Sequence, residues 1–503
     1  MDNPVDPSAC DHLQAELLKD RNLIIVSNRG PVTYHTDENG ALTYQRGGGG
    51  LVTALTGLAK HVDACWVASA LTGEDRALKE GIFPFGETDG ALEVEFLDLD
   101  EQAYEAYYNV IANPLLWFLQ HSMWDFVREP NIDKATWHAW DTGYVAVNRR
   151  FAEAVVQRIE HSQQRTLVML QDYHLYLVPR FIRQLLPNRN RYTLLHFIHI
   201  PWPGAEDWGL LPPPMRFAIL EGLCSADLLG FQTREDGLNF IRSCESYMPG
   251  ARVNFRRGRL RYRQHTTHVK DFPISIDVEA LRRLAGSGEV AGHRDQLQER
   301  FGSGQLVVRI DRTEPSKNIV RGFRAFEELL ELYPEHRGKV KFLAMFVPSR
   351  LEVIEYQNYL DELMAAAGRV NAHFGDSEWE PVRVLVGENY PRAVAALQLY
   401  DVLLVNSIAD GMNLVAKEGP VVNRRNGVVI LSERTGARQQ LQDGALVISP
   451  CDVSATAQAI HTALSMPPDE RRERAAQLCR LVEAEDINDW LCRQLAVIQE
   501  LHL

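Results

Sequence analysis

No stretch of the 503 residues is long and apolar enough to cross a bilayer, which takes about 20 consecutive apolar residues. Residues 1–20 are polar and acidic, without the apolar core of a secretory signal, so a soluble, cytoplasmic chain with no membrane partner is expected. The seven cysteines, at positions 10, 65, 224, 244, 451, 479 and 492, are odd in number and form no CxxC pair. That argues against a zinc module and predicts reduced thiols. Positive charge is also scarce: 53 Lys and Arg against 67 Asp and Glu give a formal net charge of −14. General binding to nucleic acid is thereby disfavoured, and a phosphorylated ligand must be held by local basic clusters. Internal repeats, low-complexity tracts and heptad runs are absent from the sequence. No metal-binding motif is evident, so neither a metal nor a cofactor is expected.

What is present is the composition of an ordinary globular protein, 45% hydrophobic and 24% charged, in a chain too long for one core. Two domains are expected. The most informative run is NSIADGMNLVAKE at 406–418. It follows the apolar run 402–405, short enough for a buried parallel strand. Asp410-Gly411 reads as a tight turn and 413–418 as the opening of a helix. An acid and exposed backbone N–H groups therefore meet at the C-terminal end of a strand, where open α/β sheets bind ligands and where phosphate is attracted. An ordinary strand-to-helix junction with a solvated acid fits this run equally well.

A second run favours the ligand. Residues 306–310 read as a strand, followed by DRTEPSKN at 311–318. Ser316 is expected to cap a helix continuing through Phe323, Phe326, Leu329 and Leu330. Arg312 and Lys317 then lie at a helix start, where cations are unfavourable against the dipole unless an anion such as a diphosphate lies between them. Two solvated charges are the commoner fate of any such pair, but beside the acid-bearing loop the phosphate reading is the better one.

DGMNLVAKE, together with R-x4-K in DRTEPSKN, resembles the trehalose-6-phosphate synthase family of nucleotide-sugar glucosyltransferases. The resemblance runs along nearly the whole chain. After the first strand, 22–26, Ser27-Asn28-Arg29 and the glycine run ending at Gly50 match the family. They imply that Arg29 grips the acceptor phosphate and that Gly50 faces the donor. Tyr107-Tyr108-Asn109 and Leu116-Trp117 match next, with Tyr108 and Trp117 at acceptor positions. These aromatics read as core or rim without the resemblance. Strands at 166–170 and 193–200 deliver Asp172 and His199, which the family places between donor glucose and acceptor. His196 and His199, three apart on a strand, make a poor metal pair. Gln232 lies in a further matching segment. Pro348-Ser349-Arg350, one residue shorter than the family element, implies that Arg350 completes the acceptor-phosphate clamp. The basic stretch 254–264 reads as an exposed hairpin with solvated arginines.

The resemblance thus implies an α/β, GT-B-like enzyme of two doubly wound Rossmann-like domains facing across a cleft. The expected divisions are a tail (1–20), an acceptor-binding domain (21–272), a nucleotide-sugar domain (273–484) and a final helix crossing back (485–503). The implied reaction moves glucose from a nucleoside diphosphate glucose, UDP- or GDP-glucose, to glucose 6-phosphate. The product is α,α-trehalose 6-phosphate, formed with retention. The implied catalytic set is Asp172, His199, Arg312, Lys317 and Asp410. Donor binding falls to Gly50, Gln232, Arg312, Lys317, Asp410, Met412, Asn413, Leu414, Val415 and Glu418, with Glu418 on the ribose. Acceptor binding falls to Arg29, Tyr108, Trp117, Asp172 and Arg350. Homo-oligomers are common in the family.

Several positions depart from the family pattern: Thr313-Glu314-Pro315, Ala409, Ala68, and Gln171 in place of the usual His. They leave the nucleobase open, and with it a cyclitol-coupling (validoxylamine phosphate) or glucosylglycerol-phosphate relative. A catalytically silent sugar-phosphate sensor is the alternative of a different class. Retention of Arg312 and Lys317 favours an enzyme.

Overall fold

Apolar runs of four to six residues form strands buried on both faces, the pattern of parallel sheets covered by helices. The computed structural model describes residues 13, 16–46, 64–84, 91–125, 127–302, 304–350 and 353–503. Two compact units are present: residues within Met1–Gln120, Trp124–Pro273 and Ile487–Leu503 form one, and His121–Met123 with Ile274–Asp486 form the other. No helix among the described residues is long and apolar enough to cross a membrane.

The first unit holds β1 (Arg21–Val26), β2 (Val32–Thr36), β3 (Leu42–Arg46), β4 (Ala64–Ser69), β5 (Glu80–Pro84) and β6 (Ala91–Leu97). Later in the chain come β7 (Arg165–Gln171), β8 (Tyr192–Ile198), β9 (Leu228–Phe231), β10 (Arg252–Asn254), β11 (Arg259–Tyr262) and β12 (His265–Asp271). β2 and β3 pair as a separate hairpin, and the rest form a sheet of order β10-β11-β12-β9-β8-β7-β1-β4-β6-β5. From β12 to β6 the neighbours are parallel. The chain reverses its direction of winding between β1 and β7. That reversal is a topological switch point, where doubly wound sheets bind ligands at the strands' C-terminal ends. At the edge, β10 and β11 form the antiparallel hairpin expected from the basic stretch.

Between β6 and β7 lies a feature that periodicity did not announce. Ala106–Trp117 winds as a π-helix with Pro114 inside it, and Trp140–Val145 is a second π-helical segment. Such segments are rare and concentrate at functional sites. The rings of Tyr107 and Tyr144, one from each, lie 5.8 Å apart in the buried interior.

The second unit holds β13 (Gln305–Arg312), β14 (Val340–Val347), β15 (Val382–Val386), β16 (Val402–Val405), β17 (Val428–Ser432) and β18 (Leu446–Ile448). Their order is β15-β14-β13-β16-β17-β18, all parallel. In chain order this is 3-2-1-4-5-6, the Rossmann arrangement, with its switch point between β13 and β16. The helix Ile319–Leu332 buries Phe323, Phe326, Leu329 and Leu330 completely against β13 and β14. Each such side chain stabilises the fold by about 1.5–3 kcal/mol.

Ser316 does not cap that helix. Pro315 opens a tight 3-10 turn, Pro315–Lys317, and Asn318 takes a left-handed conformation (φ 59°) as the capping position. Asparagine tolerates that region because its short side chain hydrogen-bonds locally. The thiol expectation also needs correction. Cys65, Cys224, Cys244, Cys451 and Cys479 are free thiols, whereas Cys492 on the last helix is disulfide-bonded.

Candidate active site

In the second unit the two informative runs leave adjacent strands at the switch point. The loop after β13 carries Arg312 and Lys317, and the loop after β16 carries Asp410. Lys317 Nζ donates to Asp410 Oδ2 at 2.5 Å. Ser407 Oγ and Asn413 Nδ2 donate to the same carboxylate oxygen at 3.2 and 3.0 Å. Burial opposes ionisation of Asp410, but Lys317 and these hydrogen bonds outweigh it and hold the carboxyl below its usual range. Lys317 is likewise opposed by burial, and Asp410, Glu314 and Asp311 hold its pKa above the usual value. Both groups are therefore charged.

A buried scaffold fixes the two loops to each other. Arg309, fully buried in β13, donates to Asp311 Oδ2 at 3.0 and 2.7 Å, to Asn406 Oδ1 at 3.1 Å and to the Lys317 carbonyl at 2.8 Å. Asn318 Nδ2 donates to the Asn406 carbonyl at 2.9 Å, and Asn406 Nδ2 donates back to the Asn318 carbonyl at 3.2 Å. The signal in the sequence was a charged residue inside an apolar strand, and the reading of 306–310 as a plain strand passed over it.

Asn413 is also left-handed (φ 68°), and its Oδ1 accepts from the Ala416 N–H at 3.1 Å. The helix Val415–Val422 starts there, so Leu414 and Val415 present first-turn N–H groups with no helical acceptor. Met412 is buried beneath this turn. One turn on, Glu418 accepts from Tyr390 Oη at 3.0 Å, and burial raises its carboxyl pKa. Tyr390 went unnoticed in the sequence because it lies 28 residues away.

Glu314, in the segment that departs from the family, is completely buried. Its Oε1 accepts from Arg350 Nη1 at 2.9 Å and from Tyr356 Oη at 3.2 Å, and its Oε2 lies 3.5 Å from Arg312 Nη2. Burial favours the neutral acid, yet Arg312, Arg350 and Lys317 pull the carboxyl down to about 2. One carboxylate thus joins the two arginines to which the resemblance gave different phosphates.

In the first unit, Arg29, Asp172, His199 and Gln232 all follow C-terminal ends of parallel strands, with Arg29 and Asp172 at the switch point. Asp172 sits at φ 71°, a region non-glycine residues rarely occupy. Surrounding bonds fix it there: its N–H donates to the Phe197 carbonyl at 2.7 Å, and its Oδ1 accepts from the His199 N–H at 3.2 Å. His199 is neutral, its pKa pushed down to about 3 by burial and then by His196. Its Nε2 lies 2.9 Å from Gln171 Oε1. Gln171, the unusual residue before Asp172, therefore orients this ring. Gln232 is buried, and its Nε2 donates to the His199 carbonyl at 3.5 Å.

Tyr108 and Trp117 project from the π-helix. Tyr104, Tyr108 and His174 stack in series, with centroids 5.7 and 5.8 Å apart and planes within 9°. Trp117 is buried against Tyr173, centroids 5.4 Å apart. Arg29 is exposed beside Tyr104, whose phenol burial raises to about 12. Gly50 lies outside the described residues. Among the described residues, one group has the residue types and spacing to ligate a metal: Glu335, His336 and His461, away from both switch points.

Comparison with known proteins shows the family. The sequence model of glycosyltransferase family 20 matches residues 21–500. A UDP-forming α,α-trehalose-phosphate synthase of Schizosaccharomyces pombe is 33% identical over 481 residues, covering 95% of this chain and 90% of its own. An E. coli structure with UDP-2-fluoro glucose bound superposes with a TM-score of 0.82 at 28% identity, covering 95% of this chain and 99% of that one. A UDP-forming α,α-trehalose-phosphate synthase of Burkholderia xenovorans in complex with glucose-6-phosphate gives 0.80 at 27% identity, covering 96% and 100%.

Proposed function

The chain belongs to glycosyltransferase family 20, and we propose that it transfers glucose from UDP-glucose to glucose 6-phosphate, releasing UDP and α,α-trehalose 6-phosphate with retention at the anomeric carbon. Its fold is the α/β, GT-B type expected from the sequence. The observation that carries the proposal is the pairing of the loops after β13 and β16. That pairing brings Lys317 and Asp410 together where a Rossmann sheet takes a nucleotide.

On this reading, Arg312, Lys317 and the Leu414 and Val415 N–H groups stabilise negative charge as it grows on the departing diphosphate. The Lys317–Asp410 pair keeps both groups ionised before substrate arrives, so less reorganisation is needed during reaction. Glu418, held by Tyr390, takes the ribose hydroxyls. Asp410 orients the donor sugar in the second unit, and neutral His199 offers the first unit a hydrogen-bonding group without charge. Of the residues that the resemblance assigns to the acceptor, Arg29, Tyr108, Trp117 and Asp172 belong to the first unit and Arg350 to the second. Retention by front-face attack suits these residues. Asp410 is tied to three donors and Glu418 to Tyr390, which leaves neither placed as a covalent nucleophile. The leaving phosphate then takes the acceptor's proton.

The test is to supply glucose 6-phosphate and UDP-glucose labelled with 13C at C1 of its glucosyl group, and to read the product by carbon NMR. A single α,α-linked disaccharide phosphate supports the proposal. A β linkage or no disaccharide overturns it.

A further inference from the structure

In the first unit Arg29, Asp172, His199 and Gln232 follow the C-terminal ends of parallel strands, and a cavity opens at the opposite ends. Its walls are the last turn of the helix Val178–Leu185, the turn before β8, the end of the helix Pro213–Leu223 and the junction of β11 with β12. The cavity has a volume of about 620 Å³. The length of β8, seven residues at about 3.3 Å each, separates it from His199 by on the order of 20 Å.

Four guanidiniums, those of Arg180, Arg183, Arg189 and Arg263, line this cavity with one carboxylate, Glu221. Glu221 is shared: Arg180 lies 2.9 Å from its Oε2 and Arg263 3.1 Å from its Oε1. Arg183 is neutralised by Asp227 at 2.7 Å. Arg189 faces His265 Nδ1 at 3.4 Å, and that ring is held toward its neutral form mainly by burial. Two positive charges thus remain uncompensated in one concave site of a chain whose net charge is −14. Phe217 and Tyr262 add an aromatic wall, their rings edge-to-face with centroids 6.4 Å apart. Ligand pockets commonly have this makeup, an apolar wall with a few convergent polar groups and a volume of about 300–1,000 Å³.

We propose that this cavity is a second ligand site, for a small organic phosphate monoester. Arg189 and Arg263 hold the dianion, with Arg180 behind them, and Phe217 and Tyr262 pack the organic part. Arginine's planar fork matches phosphate oxygens in pairs, and two uncompensated charges match the monoester's two. Inorganic phosphate alone leaves most of the volume unfilled and binds more weakly.

Titration calorimetry with AMP, glycerol 3-phosphate and inorganic phosphate tests this on the full chain and on Arg189→Ala/Arg263→Ala. That variant leaves Glu221 its bond to Arg180, and neither residue belongs to the machinery described above. The expected result is a submillimolar component with at least one ester, weakened about tenfold or more in the variant. The variant's melting temperature and basal turnover should stay as in the wild type. A second variant, Phe217→Ser, should weaken the ester but not inorganic phosphate. Equal affinity in wild type and Arg189→Ala/Arg263→Ala, or no heat from either ester at millimolar concentration, overturns the proposal.

Discussion

Lys317 Nζ and Asp410 Oδ2 lie 2.5 Å apart, 93 residues apart in sequence, at the point where the second sheet reverses its winding. The pair cross-links two loops and holds a cation where the leaving diphosphate is proposed to sit. Lys317→Ala removes that cation and leaves Asp410 buried without its strongest partner. Turnover should fall by about a hundredfold or more, as for loss of a preorganised charge-stabilising group. Asp410→Asn should also lower kcat, and because it leaves the Lys317 cation buried without its nearest counter-charge, the melting temperature should fall as well. Steady-state kinetics with near-normal kcat in Lys317→Ala would remove it from the proposed role.

Glu314 offers a stability test with a definite sign. Its folded pKa, about 2, lies below the ordinary glutamate value, so its contribution is fully present above about pH 4.5 and is lost as pH falls toward 2. Its magnitude is on the order of 3 kcal/mol, given complete burial and two arginine partners. Glu314→Gln should therefore lower unfolding free energy near pH 7, with a gap to wild type that narrows from pH 5 to pH 3. Urea titrations showing a constant gap across that range would contradict this account.

Buried His196 and His199 give a second pH dependence. Their folded pKa values, pushed down to about 4 and about 3, lie below the ordinary histidine value. Stability is therefore full above about pH 6.5 and declines as pH falls below it, because the unfolded chain gains protons first. Activity should show no limb from His199 between pH 6 and 8. A His199 proton resonance that titrates near neutrality would show that the ring is not held neutral.

Arg350 donates to Glu314 and to Tyr356 from a left-handed backbone conformation, φ 48°. If it holds the acceptor phosphate, Arg350→Ala should raise the KM for glucose 6-phosphate by about tenfold or more with little change for UDP-glucose. Free glucose should be a far poorer acceptor in the wild type. Equal use of glucose and glucose 6-phosphate would end that assignment.

Gly436 tests the loop itself. A Cβ there would stand 1.9 Å from the Gly411 carbonyl oxygen, and the Gly436 N–H donates to the Asp410 carbonyl at 3.0 Å. Gly436→Ala should destabilise the unit by about 1–3 kcal/mol and lower turnover together, since the turn must shift and carry Asp410 with it. Unchanged melting and kinetics would mean that the loop is more yielding than its packing indicates.

The strands were legible because a buried parallel strand is a short apolar run, and β1, β7, β8, β13 and β16 all have that form. The placement of Arg312, Lys317 and Asp410 after two strands was legible because those strand ends and turns are local in sequence. Long-range side-chain pairing was not. Nothing near Glu314 announces that it joins Arg312 to Arg350, and Tyr390 reaches Glu418 only through the fold. The π-helix holding Tyr108 and Trp117 leaves no clean 3.6-residue pattern, so those residues were found by resemblance alone. The Ser316 cap failed because Pro315 and left-handed Asn318 together made a tighter turn.

The measurement that bears most directly on the central claim is UDP release from UDP-glucose, with and without glucose 6-phosphate, in EDTA, with GDP-glucose run in parallel. The account predicts release that depends on glucose 6-phosphate, favours UDP-glucose, and yields α,α-trehalose 6-phosphate in equal amount. Release independent of glucose 6-phosphate, or none with either donor, would contradict it.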